Sequence, residues 1–146
     1  MKDQVMLSSV STFGIGGKAP RLIDVKTPQD FVTTIHKLCA RKMPYEVIGG
    51  GSNVVFPDNG LPVTSVRFQG GRMLRKGMTV YADAGVTLMH LVCFTIKHGL
   101  SGLETLSGIP GTLGGAIVGH AGAYGKTISD YLIEVLVFDG TQPYPL

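Results

Sequence analysis

The groups in this chain that could do chemistry are mostly main-chain donors, and two stretches concentrate them. Gly49, Gly50, Gly51, Ser52 and Asn53 run together ahead of apolar Val54, Val55 and Phe56. Ser107–Gly125, SGIPGTLGGAIVGHAGAYG, holds seven glycines: Gly108, Gly111, Gly114, Gly115, Gly119, Gly122 and Gly125. Glycine loses more backbone entropy on folding than any other residue, so such density needs a reason. A flexible linker is excluded by Ile109, Pro110, Leu113, Ile117, Val118 and Tyr124, because linkers lack apolar anchors. Without Cβ atoms, N–H groups can reach anionic oxygens and a ring can lie directly on the chain. The chemistry predicted is close binding of a large flat or anionic ligand, with tight internal packing as the competing explanation.

Other constellations are weaker. Gly125-Lys126-Thr127 suggests a phosphate-binding P-loop, but the pattern G-x-x-x-x-G-K-[ST] needs glycine where His120 stands. A strand pattern also resumes at Glu134, too soon for a crossover of about a dozen residues. His36 and Cys39, and again His90 and Cys93, are three residues apart and could together hold zinc. Cys39 falls on an apolar helix face, which favours a small core residue over a ligand, so no metal is expected. The scattered carboxylates form no catalytic pair, and no Ser–His–Asp set can be assembled. Glu104 lies just before the glycine stretch and could face a site, although a solvated or capping carboxylate suits it better.

These groups need elements to hold them. Residues 1–10 read as an arm, and Ser11–Ala19, STFGIGGKA, as a turn-rich loop. Arg21–Val25 reads as a strand. Thr27 then offers a helix N-cap, with Pro28 first in the helix and Asp30 in its first turn. Phe31, Ile35, Leu38 and Cys39 share one helical face. Tyr45–Ile48 follows as a strand, giving a parallel βαβ unit. The Gly49–Asn53 turn therefore sits at the carboxyl end of a parallel strand, where phosphates commonly bind. The dinucleotide pattern G-x-G-x-x-G fails, because Val54 stands at its last glycine. From this loop alone, a phosphate cradle and a plain turn capped by Ser52 and Asn53 fit equally.

Val63–Phe68 and Met78–Ala82 read as strands on either side of Gly70–Gly71, a change of lobe. Gly85–Lys97 reads as a helix capped by Thr87, with Leu88, Leu91, Val92 and Ile96 on one face and Gly99 as stop signal. Glu134–Phe138 is a further strand.

Composition bounds the classes open to the chain. Its 146 residues suit one domain or two small lobes, and 44% hydrophobic content can build a core. The net charge of +3 is scattered, with no basic run, so no nucleic acid is expected. Two cysteines imply no disulfide framework. MKDQVMLSSV lacks the apolar core of a signal peptide, and no membrane-spanning stretch occurs, so no membrane is expected and a cytoplasmic location is.

Three motifs together are similar to one family. STFGIGGKA at Ser11–Ala19, GGGSNVV at Gly49–Val55 and GLSGLETLSGIPGTLGGAIVGHAGAYG at Gly99–Gly125 resemble the UDP-N-acetylenolpyruvoylglucosamine reductases, in the family's order. The resemblance runs from about Ser11 to Gly140. It implies an α+β, two-lobed FAD-binding fold of the vanillyl-alcohol oxidase (PCMH) type. Residues 1–68 would form the first lobe with its arm. Residues 69–146 would begin a second lobe that stays incomplete, and the substrate-binding C-terminal domain would be absent. Gly49, Gly50, Gly51, Ser52, Asn53 and Val54 would cradle the diphosphate of FAD. Gly108, Ile109, Pro110, Gly111, Thr112, Gly114, Gly115, Ala116, His120, Ala121, Gly122, Tyr124 and Gly125 would line its ribityl chain and ring.

The family's reaction, in peptidoglycan precursor synthesis, reduces the enolpyruvyl ether of UDP-N-acetylglucosamine enolpyruvate to UDP-N-acetylmuramate, with NADPH as hydride donor. The family's catalytic Arg, its proton-donating Ser and its catalytic Glu lie beyond the matched region, so no catalytic residue is assigned within this chain. A complementing C-terminal half is the implied partner. The other reading is a truncated or degenerate flavin-binding or partner-binding module without its own catalysis. His120 stands where the family usually has Asn.

Overall fold

The computed structural model describes residues 2–146, an α+β chain that falls into two compact units. One runs to Gln69 and also takes in Glu134–Leu146; the other is Gly70–Ile133.

The first unit is built on a four-stranded sheet of β1 (Lys2–Met6), β2 (Lys18–Val25), β3 (Tyr45–Ile48) and β4 (Thr64–Phe68), in the order β1-β2-β4-β3. β2 and β3 both run parallel to β4, and β1 runs antiparallel to β2. The expected βαβ unit is present, but β4 stands between its two strands. Thr64, Ser65 and Val66 are consecutively buried, as a strand covered on both faces requires. β3 exposes Glu46 and Val47 and takes the edge.

Residues 2–10, expected as an arm, are ordered elements. They form β1 and a 3-10 helix, Leu7–Val10. Leu7 is wholly buried against a cluster of Ala19, Leu22, Ile48 and Phe56, which anchors the segment.

The helix α1 (Pro28–Ala40) begins as predicted: the Asp30 N–H donates to Thr27 Oγ1 at 3.0 Å, and Pro28 opens the first turn. Such a cap contributes about 1 kcal/mol. Ile35 and Leu38 are buried with Val25 and Val66, and Phe31 meets Phe68 edge-on at 6.0 Å. Cys39, expected on this face, is exposed instead, because it lies at the margin of the stripe. Its Sγ is 4.0 Å from the Tyr45 hydroxyl, and burial, with the thiol's help, raises the Tyr45 phenol above its ordinary range.

The second unit starts with a hairpin of β5 (Met73–Lys76) and β6 (Thr79–Ala82), turned at Gly77 with φ +61°. Only its second strand was legible in the sequence. Helix α2 (Leu88–Lys97) starts three residues later than predicted, where the His90 N–H donates to Thr87 Oγ1 at 3.2 Å. Leu88, Leu91 and Val92 face inward. Ile96 is 54% exposed, and buried Thr95 lies inward instead, donating its hydroxyl to the Val92 carbonyl at 2.8 Å.

A 3-10 helix, Leu103–Leu106, leads to the short α3 (Leu113–Val118). A two-rung ribbon follows, β7 (Gly122–Ala123) with β8 (Lys126–Thr127), and then a 3-10 helix, Ile128–Tyr131. The core is Val86, Leu88, Leu91, Leu106, Leu113, Ala116 and Ile128. Four residues of 3-10 helix after Lys126–Thr127 are not the helix a P-loop demands.

The segment Glu134–Leu146, grouped with the second lobe in the sequence reading, joins the first unit. Its strands β9 (Leu136–Phe138) and β10 (Pro143–Pro145) form an antiparallel ribbon. The Phe138 ring explains the grouping: it meets Phe31 at 6.4 Å and His36 at 5.2 Å, and His36 Nε2 bonds the Thr141 carbonyl at 3.1 Å. Asp139 accepts from the Thr141 hydroxyl at 2.6 Å and from the Thr141 and Gln142 N–H groups, which holds its carboxyl below the usual range.

Candidate functional site

The two glycine-rich stretches lie in different units, and each has its own geometry. In the first unit, Gly49–Val54 leaves the carboxyl end of β3. Gly51 is buried at φ +68°, and a Cβ there would run into the Val10 carbonyl and the Ser11 backbone. The Thr12 N–H donates to the Gly51 carbonyl at 2.9 Å, which ties the loop to the STFGIGG segment. That segment is held in turn by Gly17 N–H on the Pro57 carbonyl at 2.9 Å and Leu7 N–H on the Gly17 carbonyl at 2.8 Å. The motif Ser11–Ala19 is thus the support of the loop.

Around the locked Gly51, the residues Gly50, Asn53 and Val54 are exposed. Their N–H groups take no part in the main-chain hydrogen bonds among the described residues. Ser52 is half-buried. Unused donors on a rigidly held turn suit an anionic oxygen, and they do so without a lysine.

In the second unit, the stretch from Gly108 to Gly125 is spread over a turn, α3 and the β7–β8 ribbon. The backbone of residues 84–88 is stitched to residues 111–114: Leu88 N–H to the Gly111 carbonyl at 3.0 Å, Leu113 N–H to the Val86 carbonyl at 2.7 Å and Gly114 N–H to the Ala84 carbonyl at 2.8 Å. Gly111 has φ +117°, and Thr112 Oγ1 accepts from the Gly115 N–H at 3.3 Å to cap α3. Gly114 packs on Ala84, where a Cβ would come within 2.9 Å of the alanine methyl. Gly122 packs on Lys126 and Thr127, also at 2.9 Å. Ala116 turns into the core.

Gly108 is different. Its φ is not positive, nothing stands within 4 Å of where its Cβ would be, and it lines an open groove of about 390 Å³. Ile109 and Tyr124 line that groove as well, together with three residues that sequence reasoning left out: Thr105, Ser107 and Ala123. All three lie inside the Gly99–Gly125 motif, which was the signal for them. The Thr105 hydroxyl is buried and has no hydrogen-bond partner among the described residues.

His120 and Tyr124 both adopt the left-handed region, at φ +47° and +54°. His120 Nε2 bonds Ser129 Oγ at 2.9 Å, and that hydroxyl shares a 2.8 Å bond with Thr127 Oγ1. Gly125, at φ +75°, completes the turn beside Tyr124. Glu104 accepts the Gly102 N–H at 2.6 Å, the local capping role expected of it. Among the described residues no group of three His, Cys, Asp or Glu side chains could hold a metal ion, and no helix is long and apolar enough to cross a membrane.

The family profile "FAD binding domain" matches residues 19–141 of this chain. This chain belongs to the FAD binding domain family. Within that family it is similar to enzymes named UDP-N-acetylenolpyruvoylglucosamine reductase. It is 39% identical to that of Synechococcus sp. over 140 residues, covering 94% of this chain and 45% of the relative. It is 38% identical to that of Solibacter usitatus over 135 residues, covering 92% of this chain and 43% of the relative. The crystal structure of the Thermus caldophilus reductase superposes with a TM-score of 0.80 at 32% identity, covering 99% of this chain and 51% of that one. The chain thus spans about half the length of the curated relatives it matches.

As an FAD binding domain, the chain offers residues that fit the cofactor in both places. The Gly49–Val54 loop holds unused N–H donors, and Gly108 keeps space that no part of its own unit fills.

Proposed function

We propose that this chain is the FAD-binding part of a UDP-N-acetylenolpyruvoylglucosamine reductase. The observation that carries the reading is the family match over residues 19–141, which takes in both glycine-rich stretches. In this reading the chain adopts the two-lobed fold of the vanillyl-alcohol oxidase type, and Gly49–Val54 binds the diphosphate through main-chain donors. Gly108–Ala116 and His120–Gly125 line the ribityl chain and ring. Bound FAD would supply hydride, received from NADPH, to the enolpyruvyl double bond of UDP-N-acetylglucosamine enolpyruvate, giving UDP-N-acetylmuramate once the neighbouring carbon is protonated.

The chain's own residues bind and orient. Gly50, Asn53 and Val54 present donors to phosphate, Gly108 leaves room for a ring, and Ile109 with Tyr124 shields it from water. The acid and the cationic stabiliser of the family's reaction belong, in this reading, to a complementing C-terminal half. The setting is peptidoglycan precursor synthesis in the cytoplasm. The alternative, a truncated or degenerate flavin-binding or partner-binding module without its own catalysis, draws support from Val118 and Tyr124, which are 90% and 91% exposed.

Cofactor titration tests the reading. FAD is expected to bind at least about tenfold more tightly than FMN, about 1.4 kcal/mol, because the loop holds a diphosphate that FMN lacks. Equal affinities would remove the diphosphate from Gly49–Val54. Residues 1–146 alone are expected to show no NADPH oxidation that depends on the enolpyruvyl UDP-sugar. Steady turnover would mean that the proton donor lies within this chain.

A further inference from the structure

The FAD reading gives the diphosphate to Gly49–Val54 and the ring to the Gly108–Gly125 stretch, and it leaves the adenosine end without residues. The sheet of the first unit offers a place for it. β2, β3 and β4 run parallel, so their carboxyl ends lie along one edge, where ligands of such sheets bind. The glycine loop leaves that edge from β3. Beside it stand Asp24 and Arg67, each one residue before the end of its strand. Arg67 is opposite Ile48 in β3 and opposite Asp24 in β2.

The core shows which face the pair occupies. Leu22 and Ile48 pack with Leu7 and Phe56, whereas Ile23, Val25 and Val66 pack with Ile35 and Leu38 of α1. By strand alternation Asp24 and Arg67 project from the Leu22–Ile48 face. That face also carries Val10, whose carbonyl lies against Gly51. The pair and the loop therefore share one end and one face of the sheet.

Arg67 Nε donates to Asp24 Oδ1 at 2.7 Å, and the two side chains keep 19% and 23% of their surface. Among the described residues, Asp24 Oδ2 and the Arg67 Nη groups make no further hydrogen bond. These atoms are open to solvent, in contrast to the sealed hydroxyls of Ser65 and Thr105. A pair this covered adds little stability over apolar residues of similar size, so stability does not account for it. An open acceptor beside an open guanidinium fork matches vicinal hydroxyls, which donate to a carboxylate and accept from a guanidinium. A carboxylate meets the ribose in the same way in dinucleotide sites whose diphosphate sits on a glycine turn. The loop's strand is one spacing of about 4.8 Å from β4 and two from β2, a reach that a ribose bonded to the diphosphate covers.

We infer that Asp24 and Arg67 bind the ribose at the adenosine end of FAD, with Asp24 accepting from its hydroxyls and Arg67 donating to them. The inference rests on the FAD reading above and adds to it the residues for the nucleotide end.

The test uses the whole chain, as wild type, Asp24→Asn and Arg67→Lys, titrated calorimetrically with FAD, FMN, ADP and 2′,3′-dideoxy-ADP. Wild type is expected to bind ADP about five- to tenfold more tightly than its dideoxy analogue. D24N keeps an oxygen for Arg67 Nε and loses the open acceptor. It is expected to weaken FAD and ADP by about the same factor, to leave FMN and the analogue unchanged and so to erase the preference. R67K, which keeps the charge and loses the fork, is expected to do the same to a smaller degree. Equal wild-type affinities for ADP and its analogue overturn the inference, and this comparison stands even where a variant fails to fold. An FAD affinity unchanged in D24N also overturns it. So does a loss of FAD and FMN affinity together, because the pair would then only hold the sheet. A wild-type chain that takes up no FAD overturns the FAD reading itself, and this inference with it, before any variant is made.

Discussion

The loop at Gly49–Asn53 and the stretch at Gly108–Gly125 read alike in sequence, yet glycine does different things in them. In the first, buried Gly51 is locked against Val10 and Ser11 and fixes the turn, while its exposed neighbours keep free donors. In the second, the glycines divide three ways. Gly114 and Gly122 allow close packing, Gly111 and Gly125 take positive φ, and Gly108 does neither. Glycine density alone therefore does not mark a ligand site. What marks one is a glycine that neither backbone conformation nor a neighbouring atom requires and that also lines a groove, as Gly108 does and Gly71 does not. By that criterion Gly108 points to the groove, whereas Gly51 points to the fold.

Substitution of three glycines would break or sharpen the contrast. Gly51→Ala carries the largest expected effect. It adds about 1–2 kcal/mol for a left-handed L-residue to about 1–3 kcal/mol for pushing Val10–Ser11 away. Urea unfolding is expected to show a loss of about 2–5 kcal/mol whether or not flavin is present. A variant as stable as wild type would mean that the loop does not rest on Val10. Gly50→Val, on the exposed side of the same turn, is expected to leave stability within about 0.5 kcal/mol and to cost tenfold or more in FAD affinity, about 1.4 kcal/mol. Gly108→Ala is expected to be neutral for stability and to weaken FAD several-fold, since its methyl would enter only the groove. Equal FAD affinity in Gly108→Ala would return that glycine to the unexplained ones.

The sequence made some of this legible and not the rest, for reasons that can be named. Thr27 and Thr87 were readable because a cap and its helix are adjacent in the chain, and both caps form. The loop at the end of β3 was readable for the same reason. The position of β4 between β2 and β3 was not, because strand order is set by which strand is buried on both faces. Leu7 looked like one apolar residue in a polar arm, and only its long-range contacts with Leu22 and Phe56 make it core. Phe138 drew Glu134–Leu146 to the first unit through Phe31, a contact more than a hundred residues away in sequence. Within the groove, Ile109 and Tyr124 came from motif resemblance; Thr105 lies in the same motif, but its unsatisfied hydroxyl was not legible, because that is a property of surroundings and not of residue type.

His120→Asn gives the smallest expected effect and a further test of the same contrast. The resemblance placed asparagine at this position, and the structure puts its backbone at φ +47°. Asparagine and histidine are among the few residues besides glycine that tolerate this region, because their short polar side chains can bond locally. The requirement at position 120 is thus first a backbone requirement, met by either residue. The 2.9 Å bond from His120 Nε2 to Ser129 Oγ then adds a side-chain tether to the turn that carries Tyr124. His120→Asn is expected to change stability by no more than about 0.5 kcal/mol, because it keeps the backbone preference and loses one exposed hydrogen bond. His120→Val is expected to cost about 1–2 kcal/mol, because a β-branched residue is strained there. Thermal unfolding of the two variants side by side separates these effects. If His120→Asn lost as much as His120→Val, the Ser129 bond and not the backbone would hold this turn, and the glycines around it would have to be read again with that tether as the organising contact.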